Sequence, residues 1–448
     1  MCIRDSIYYY LRAIYLMYYI DVDEGWEVYP HTQTAVNNFM GMHRFDANFQ
    51  IKVGAWVADK DYYAYGNVLT WSALLPHAKS GGRLPDNMGQ SWLSPVWGPT
   101  TDHVIGAWDI YEHTGDLGFI EDIYEPYFKP LFWDGMLKHW GASYDAVECL
   151  KQMAILTGNP ADVAHWHSVG DVDNLENWMN SEWERAEPDY WGNNADAIYP
   201  PGSPDRALYW TGMAYMRNNW FPEDWARRMT ETWAVNSEIG FNGPVPPTLV
   251  AMQDVDHIFP DFASAPDLAY YSIMGMYDRH VGKNANVMGL GHLKKYNLKW
   301  GIPVAPESYD SGWEIWGDQY SNFNAGKILL ILNGIAGLDY SIPDGTFEIA
   351  DHMPEEWSFM ELKVPVTQPG QTDWVDVRID RSDLGNGLIE KTVTVAGNPL
   401  QTLKLQPWLE EKILINSPTG QDADPPTGHQ SYSFGATPTA TVTIHLQE

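Results

Sequence analysis

Only two cysteines, Cys2 and Cys149, occur in the 448 residues, so no disulfide framework staples this chain and no CxxC or Cys–His cluster offers zinc spacing. The redox compartment stays open on that ground. HExxH, GxxxxGK[ST] and GxSxG are absent, which removes the simplest metalloprotease, P-loop and serine-hydrolase readings. Positive charge is scarce: 27 Lys and Arg stand against 59 Asp and Glu, a formal net charge of −32. A field of that sign repels phosphate backbones and anionic lipid, so no nucleic acid and no membrane is expected as a partner, and a neutral ligand fits better. The same excess of acid is also what a salt-adapted surface carries. Long apolar runs are missing too. The aromatic run IYYYLRAIYLMYYI has 14 residues with Arg12 inside it, too short to cross a bilayer and without a small-residue cleavage site. Residues 1–30 read as a truncated or non-native start, which leaves localisation unknown.

What the chain has in quantity is aromatic surface, with 22 Trp and 26 Tyr. Flat amphipathic rings suit sugar faces, whose C–H groups stack while the hydroxyls find partners at the rim; helix-packed cores use Trp as well. Hydrophobic residues at 44% and charged residues at 19% describe a globular chain, long enough for two or three domains.

From about His31 to Leu338 the apolar residues recur three or four apart. The spacing predicts helices near 33–46, 60–78, 101–114, 117–139, 143–157, 160–168, 171–185, 205–219, 222–236, 266–281, 284–297 and 322–338, with Asp102 and Asn322 as helix caps. Thr114-Gly115-Asp116 and Thr157-Gly158-Asn159-Pro160 make tight turns, where Gly ends one helix and Asp or Asn caps the next. The other connections, at 79–100, 187–204, 237–265 and 299–321, are long and rich in Pro, Gly and Trp. Antiparallel hairpins set in a ring gather short turns at one end and long loops at the other, and long loops tend to be functional. Six such hairpins make an (α/α)6 toroid; a helical solenoid is the competing arrangement, without a fixed repeat length to support it. After Tyr340 the period changes to two, with strands expected at 359–366, 373–380, 388–395, 402–409, 412–415 and 439–446. The expected organisation is a mainly α chain: an (α/α)6 toroid over 31–340 and a C-terminal antiparallel β-sandwich over 341–448.

The most chemical stretch is GIPVAPESYDSGWEIWGDQYSNFNAGKILLILNGIAGLD, residues 301–339. Pro306 and Gly312 bracket Glu307-Ser308-Tyr309-Asp310, a carboxylate on a loop among Trp and Tyr just before an apolar helix. The plain alternative is an acidic loop ahead of a core helix. His165 and His167, one residue apart with no carboxylate or Cys at ligand spacing, are not expected to hold a metal. Tyr209, Trp210 and Arg217 fall at helical spacing and read as core or inner-ring residues.

Several strings resemble six-hairpin glycosidases, closest to glycoside hydrolase family 63 and family 15 enzymes. GRLPDNMG followed by WGPTTDHVIGAWDIYEHTGDLGFIEDIYEPYFKPLFWDG is similar to a "PD" loop, a helix ending in "TGD" and a helix ending in Trp. YDAVECLKQMAILTGNPADVAHW resembles the next hairpin, and PESYDSG with SNFNAGKILLIL resembles the late "ENY…G" loop and its helix. PDGTFEIADHMPEEWSFMELKVPV is similar to terminal β-domains of disaccharide phosphorylases. The resemblance implies inverting hydrolysis of a glycosidic bond by two carboxylic acids about 6.5–9.5 Å apart, without cofactor or metal. It implies Glu307 as general base, with Tyr309 and Trp313 shaping the water site and Glu314 and Asp318 as further acids there. The longer acid-bearing "ESG.D" element is missing; Asp134, beside Trp133, is the sole carboxyl group in its interval and the candidate general acid. His43-Arg44-Phe45-Asp46 resembles an early "WD" element, in which Arg44 and Asp46 hold hydroxyls. Asp86, Trp92 and Trp97, on a long loop, are expected to form a second wall for an oligosaccharide or glycoside substrate. The rivals are a disaccharide phosphorylase on the same fold and a non-catalytic carbohydrate-binding protein.

Overall fold

A computed structural model describes residues 19–20, 31–32, 44–57, 65–66, 68–69, 101–133, 142–169, 230, 234–238, 241–244, 246, 266–279, 282–297, 305–310, 312–368, 370–386, 388–406, 412–415, 421–422, 432–434 and 439–447. Helices expected near 60–78, 171–185, 205–219 and 222–236 lie largely or wholly outside these residues. A small ladder, β1 (Tyr19–Ile20) with β2 (His31–Thr32), precedes the helices.

Helix α1, Arg44–Gly54, runs eight residues past the end of the helix expected over 33–46, of which 33–43 lie outside the described residues. Its second half is buried on every side, Gln50 and Lys52 included, so it carries no one-sided apolar stripe by which a surface helix is recognised. Phe49, Val53 and Trp56 enter one core, while Ile51 and Ala55 enter another. Next come α2 (Thr101–Thr114), α3 (Leu117–Ile123), a π-helical turn Tyr124–Phe128 and α4 (Lys129–Phe132). Then α5 (Ala142–Leu156) and α6 (Pro160–Val169) form one hairpin, and α7 (Pro266–Asp278) and α8 (Gly282–Asn297) another. The tight turns form as their residues dictate. Gly115 adopts φ 68° and Gly158 φ 73°, and the Asp116 side chain caps α3 by accepting from the Phe119 amide at 3.2 Å. Asp102 is not a cap, because α2 already starts at Thr101.

Parallel helices carry the architecture. Helix α9 (Ser321–Leu329, continuing as a π-helical segment Leu330–Ile335) lies along α1, α1 along α2, α2 along α5, and α7 along α9. A Cβ on Gly326 would meet both Phe49 and Tyr270 at 3.4 Å, so α1, α7 and α9 are matched at their fifth or sixth residues. Lys52 reaches Asp109 at 3.8 Å, aligning the end of α2 with the end of α1. Second contacts fix the direction. A Cβ on Gly334, after Gly326, would meet Tyr277, after Tyr270, at 2.8 Å. His113, after Asp109, faces Ala55, after Lys52, and Trp56, after Phe49, packs on Tyr340 beyond α9. These four helices therefore begin at one end of the described bundle and finish at the other. The return direction belongs to α3–α4 and α6. Asp162 and Trp166 of α6 bond to Tyr124, and farther along His165 stacks on Trp133. Since α6 follows α5 through a tight turn, α5 runs with α2.

Two five-stranded sheets complete the described residues. One has the order β12-β13-β10-β6-β5 and the other β11-β14-β9-β8-β7. Strands β5 (Leu338–Ser341), β6 (Thr346–Ile349), β10 (Thr402–Leu405), β12 (Gln421–Asp422) and β13 (Tyr432–Phe434) make the first. The second contains β7 (Phe359–Gln368), β8 (Gln371–Gly385), β9 (Leu388–Ala396), β11 (Lys412–Ile415) and β14 (Thr439–Gln447). The second is antiparallel throughout, whereas β6 and β10 of the first run parallel, which corrects the expectation of purely antiparallel pairing. Such a pair joins strands far apart in sequence and leaves no local turn signal. Period-two burial sets the register: Leu362 faces Val377, which faces Val395, and Phe347 faces both Tyr340 and Leu403. All six belong to the core that also holds Phe49, Trp56 and Leu329, so the apolar faces of both sheets and the helix ends share one interior. One alternating position breaks the pattern. Lys391 is buried on the inner face of β9 and pairs with Asp351 at 3.0 Å.

Candidate functional site

At the end where α9 begins, the chain forms a hairpin rather than the irregular loop expected there. Strand β3 (Ala305–Tyr309) pairs with β4 (Ile315–Tyr320), and α9 starts at Ser321. Asn322 therefore lies within the helix and not at its cap. Turn chemistry explains the hairpin. The Asp310 carboxylate accepts from the amides of Gly312 and Glu314, both at 2.9 Å, and the Asp310 amide donates to the Glu314 carbonyl at 2.9 Å. Trp313, half-buried, sits at the tip with φ 62°, an uncommon backbone for an aromatic residue; Glu314 beside it is exposed.

Glu307 occupies a particular place in this ladder. Pro306 pairs with Gln319 and Ser308 with Trp316, so Glu307 alone stands opposite Gly317 and Asp318. That is a β-bulge, and Gly317 supplies the left-handed backbone it needs, at φ 85°. Bulges turn a side chain out of the regular alternation, and they are frequent beside active sites. The hairpin rests through β3 against α7, α8 and α9, on rigid elements.

Of the other candidates, Tyr309 ends β3, and Arg44 and Asp46 lie in the first turn of α1, at the same end as the hairpin because α1 and α9 run parallel. Trp133, directly after α4, stands at this end as well. Its ring is stacked on His165 (centroids 3.6 Å apart, planes 10° apart) and meets the edge of Trp166 at 5.5 Å, with the Lys129 ammonium 5.6 Å from the centroid. One face of Trp133 is thus covered by protein. Asp134, Asp86, Trp92 and Trp97 lie outside the described residues. Among the described residues no group of three or more His, Cys, Asp or Glu has the geometry to hold a metal, and no helix is long and apolar enough to cross a membrane.

The opposite end holds chemistry that the sequence reading missed. A cavity of about 390 Å³ opens where α1, α2, α7 and the π-helical segment finish, and its far side is made by β5, β6 and the residues after them. Acids predominate among its charged lining residues, with Asp109 and Glu112 of α2, Asp278 of α7, Asp339 of β5 and Glu348 of β6 against Lys52. Burial, then the charges of Asp339 and Asp109, push the Glu112 carboxyl up to about 8, although Trp108 donates a hydrogen bond to it. His113 ties three elements together: Nδ1 faces the Ala55 carbonyl at 3.0 Å and Nε2 faces Asp339 at 3.1 Å, while the ring stacks on Tyr340. In the sequence Asp109 and Glu112 look like one face of an ordinary helix, and no spacing rule links them to Asp339.

No protein-family model and no curated protein matches the chain. Solved structures do. The chain is similar to an α-L-rhamnosidase from Dictyoglumus thermophilum (12% identity, TM-score 0.55, 92% of this chain and 46% of that one). It is also similar to an α-L-rhamnosidase from Aspergillus terreus (12%, 0.53, 90% and 46%), and to one from Streptomyces avermitilis in complex with L-rhamnose (11%, 0.50, 90% and 38%). The chain spans less than half the length of each of these structures. At such identity the likeness is one of fold, and a fold alone does not fix an activity.

Proposed function

We propose that this chain is the catalytic part of a glycoside hydrolase, a six-hairpin (α/α)6 toroid followed by a β-sandwich, acting on α-L-rhamnosides or closely related glycosides. One observation carries the reading: the fold follows that of α-L-rhamnosidases over 92% of the chain while the sequence, independently, resembles six-hairpin glycosidases in motif order. Among the described residues, the contact of the last helix, α9, with the first, α1, supports a closed ring. The finer resemblance to families 63 and 15 rests on the sequence strings alone.

In this reading Glu307 is the general base. It lies on a bulged hairpin where the parallel helices begin, and removes a proton from the attacking water. Asp134 is the general acid and protonates the leaving oxygen. Trp133, placed at the same end, supports that pairing, because an apolar neighbour keeps a carboxyl group protonated near neutral pH. Two such acids on opposite faces of the sugar invert the anomeric centre. Asp46, Arg44, Asp86, Trp92, Trp97, Tyr309, Trp313 and Glu314 hold the substrate. Hydrolysis is favoured over phosphorolysis because Lys327, the first cation after the hairpin in sequence, is buried within α9 and desolvation draws it down to about 7. It makes a poor clamp for phosphate.

The test is a panel of aryl glycosides that includes the α-L-rhamnopyranoside, assayed with and without phosphate, with NMR of the first anomer released. Phosphate-independent release of the inverted sugar is expected. Release of a sugar phosphate, or no turnover of any glycoside, would contradict it.

A further inference from the structure

Helix α2 is fastened to the sheets at one spot. The Ile342 amide, just past β5, donates to the Glu112 carbonyl at 2.7 Å, and a Cβ on Gly115 would meet the Ile342 side chain at 3.0 Å. Next to these contacts His113 joins α1 to β5, and Trp56 sets its ring edge against both His113 and Tyr340, at 4.8 and 5.4 Å. Glu112, whose carbonyl makes the link to Ile342, lines the acidic cavity beside this junction, next in the chain to His113. We propose that the junction is a proton-operated latch: with a proton on Glu112 the end of α2 stays closed on the first sheet, and loss of that proton loosens it.

The charges around the carboxyl give the latch its direction. From α1 comes Lys52, from α2 itself Asp109, Tyr111 and His113, from α5 Cys149, and from α7 Asp278. The sheets and their loops add Asp339, Asp344, Glu348 and His352. The lysines among and beside these groups already face acids, Lys52 facing Asp109 at 3.8 Å and Lys404 holding Glu348 at 2.8 Å, and the His113 ring nitrogen stands 3.1 Å from Asp339. An ionised Glu112 adds one more negative charge where Asp109, Asp339 and Asp344 already act on it. It also lies in the last turn of α2, whose carbonyl end repels anions. Burial and these like charges hold the carboxyl protonated up to about pH 8. The cavity beside it gives water room to enter as the contacts part. The latch lies at the opposite end of the parallel helices from Glu307, so it stands or falls independently of the proposed catalysis.

Hydrogen exchange read by mass spectrometry on the full chain tests it, with rates corrected for the intrinsic effect of pH from 6 to 9. Peptides spanning 108–116 and 338–345 are expected to lose protection at least tenfold between pH 7 and pH 9. In Glu112→Gln their protection should not change with pH, and in Asp344→Asn the midpoint should fall to lower pH. Flat protection in the unaltered chain overturns the latch, as does a pH response in Glu112→Gln like that of the parent. Should Glu112→Gln fail to fold, an unmoved midpoint in Asp344→Asn overturns it equally.

Discussion

His113 and Asp339 are 226 residues apart in sequence, yet Nε2 of one stands 3.1 Å from Oδ1 of the other. The other ring nitrogen faces the Ala55 carbonyl, so a single side chain holds α1, α2 and β5 in register. His113→Phe keeps a flat ring on Tyr340 and removes both polar links. A loss of about 1–3 kcal/mol is expected, because the Ala55 carbonyl is left without that partner in a closed environment. Urea unfolding measures it; an unchanged midpoint would show that the ring packs but does not tie.

Glu112 gives stability a particular pH dependence. The folded carboxyl titrates near 8 and the unfolded one near 4.5, so between those values the folded chain holds a proton that the unfolded chain has released. Its contribution is therefore lost as pH rises from about 4.5 to about 8, by up to about 1.4 kcal/mol per pH unit. Buried His352 and Lys327 titrate in overlapping ranges with the opposite slope, so the difference between Glu112→Gln and the parent isolates the effect. That difference should move in favour of the variant with each step up in pH through the window. A constant difference across it would refute the assignment.

Gly337, at φ 58°, lies where the π-helical segment turns into β5, and a Cβ there would run into the Ala350 carbonyl. Gly158 has a similar φ of 73° but nothing within 4 Å of the position a Cβ would take. Gly158→Ala is expected to cost about 1–2 kcal/mol, the left-handed backbone penalty alone. Gly337→Ala should cost several kcal/mol more, since backbone must shift. Thermal unfolding of the two variants side by side tests this, and equal losses would contradict it.

The pair Lys391–Asp351 lies in the apolar interior, with side chains 2% and 11% exposed. Asp351→Asn leaves the Lys391 ammonium without its counter-charge and should cost about 3–5 kcal/mol. Lys391→Met combined with Asp351→Leu should recover most of the loss, because two packed apolar groups replace two desolvated ions. Failure of the double variant to recover would show that the pair is needed for more than its charge.

Legibility followed the range of the interaction. The turn at Thr114-Gly115-Asp116 and helices α2, α5 and α6 were readable because capping and apolar spacing are local. Strands β7, β9, β11 and β14 were readable for the same reason. Helix α1 escaped because burial on all sides erases the amphipathic stripe. The β3–β4 hairpin reads as a loop because Pro306 and Gly312 speak for a break in helix, while the turn that shapes the ladder is set by the Asp310 carboxylate accepting from the Gly312 and Glu314 amides. The parallel β6–β10 pair and the Glu112–Asp339 junction depend on residues brought together from distant parts of the chain, which no local pattern records. Of the site candidates, Glu307 was singled out from its setting between Pro and Gly among aromatic residues, and its position on a bulge came only with the strand register.

The most direct measurement of the central claim is the rate at which the full chain and its Glu307→Gln variant release aryl α-L-rhamnoside. Removing the base that activates water should lower kcat by at least about 10³-fold, with an unchanged melting temperature and with substrate still bound. Turnover by Glu307→Gln within tenfold of the parent, under conditions where both are folded, would contradict the account.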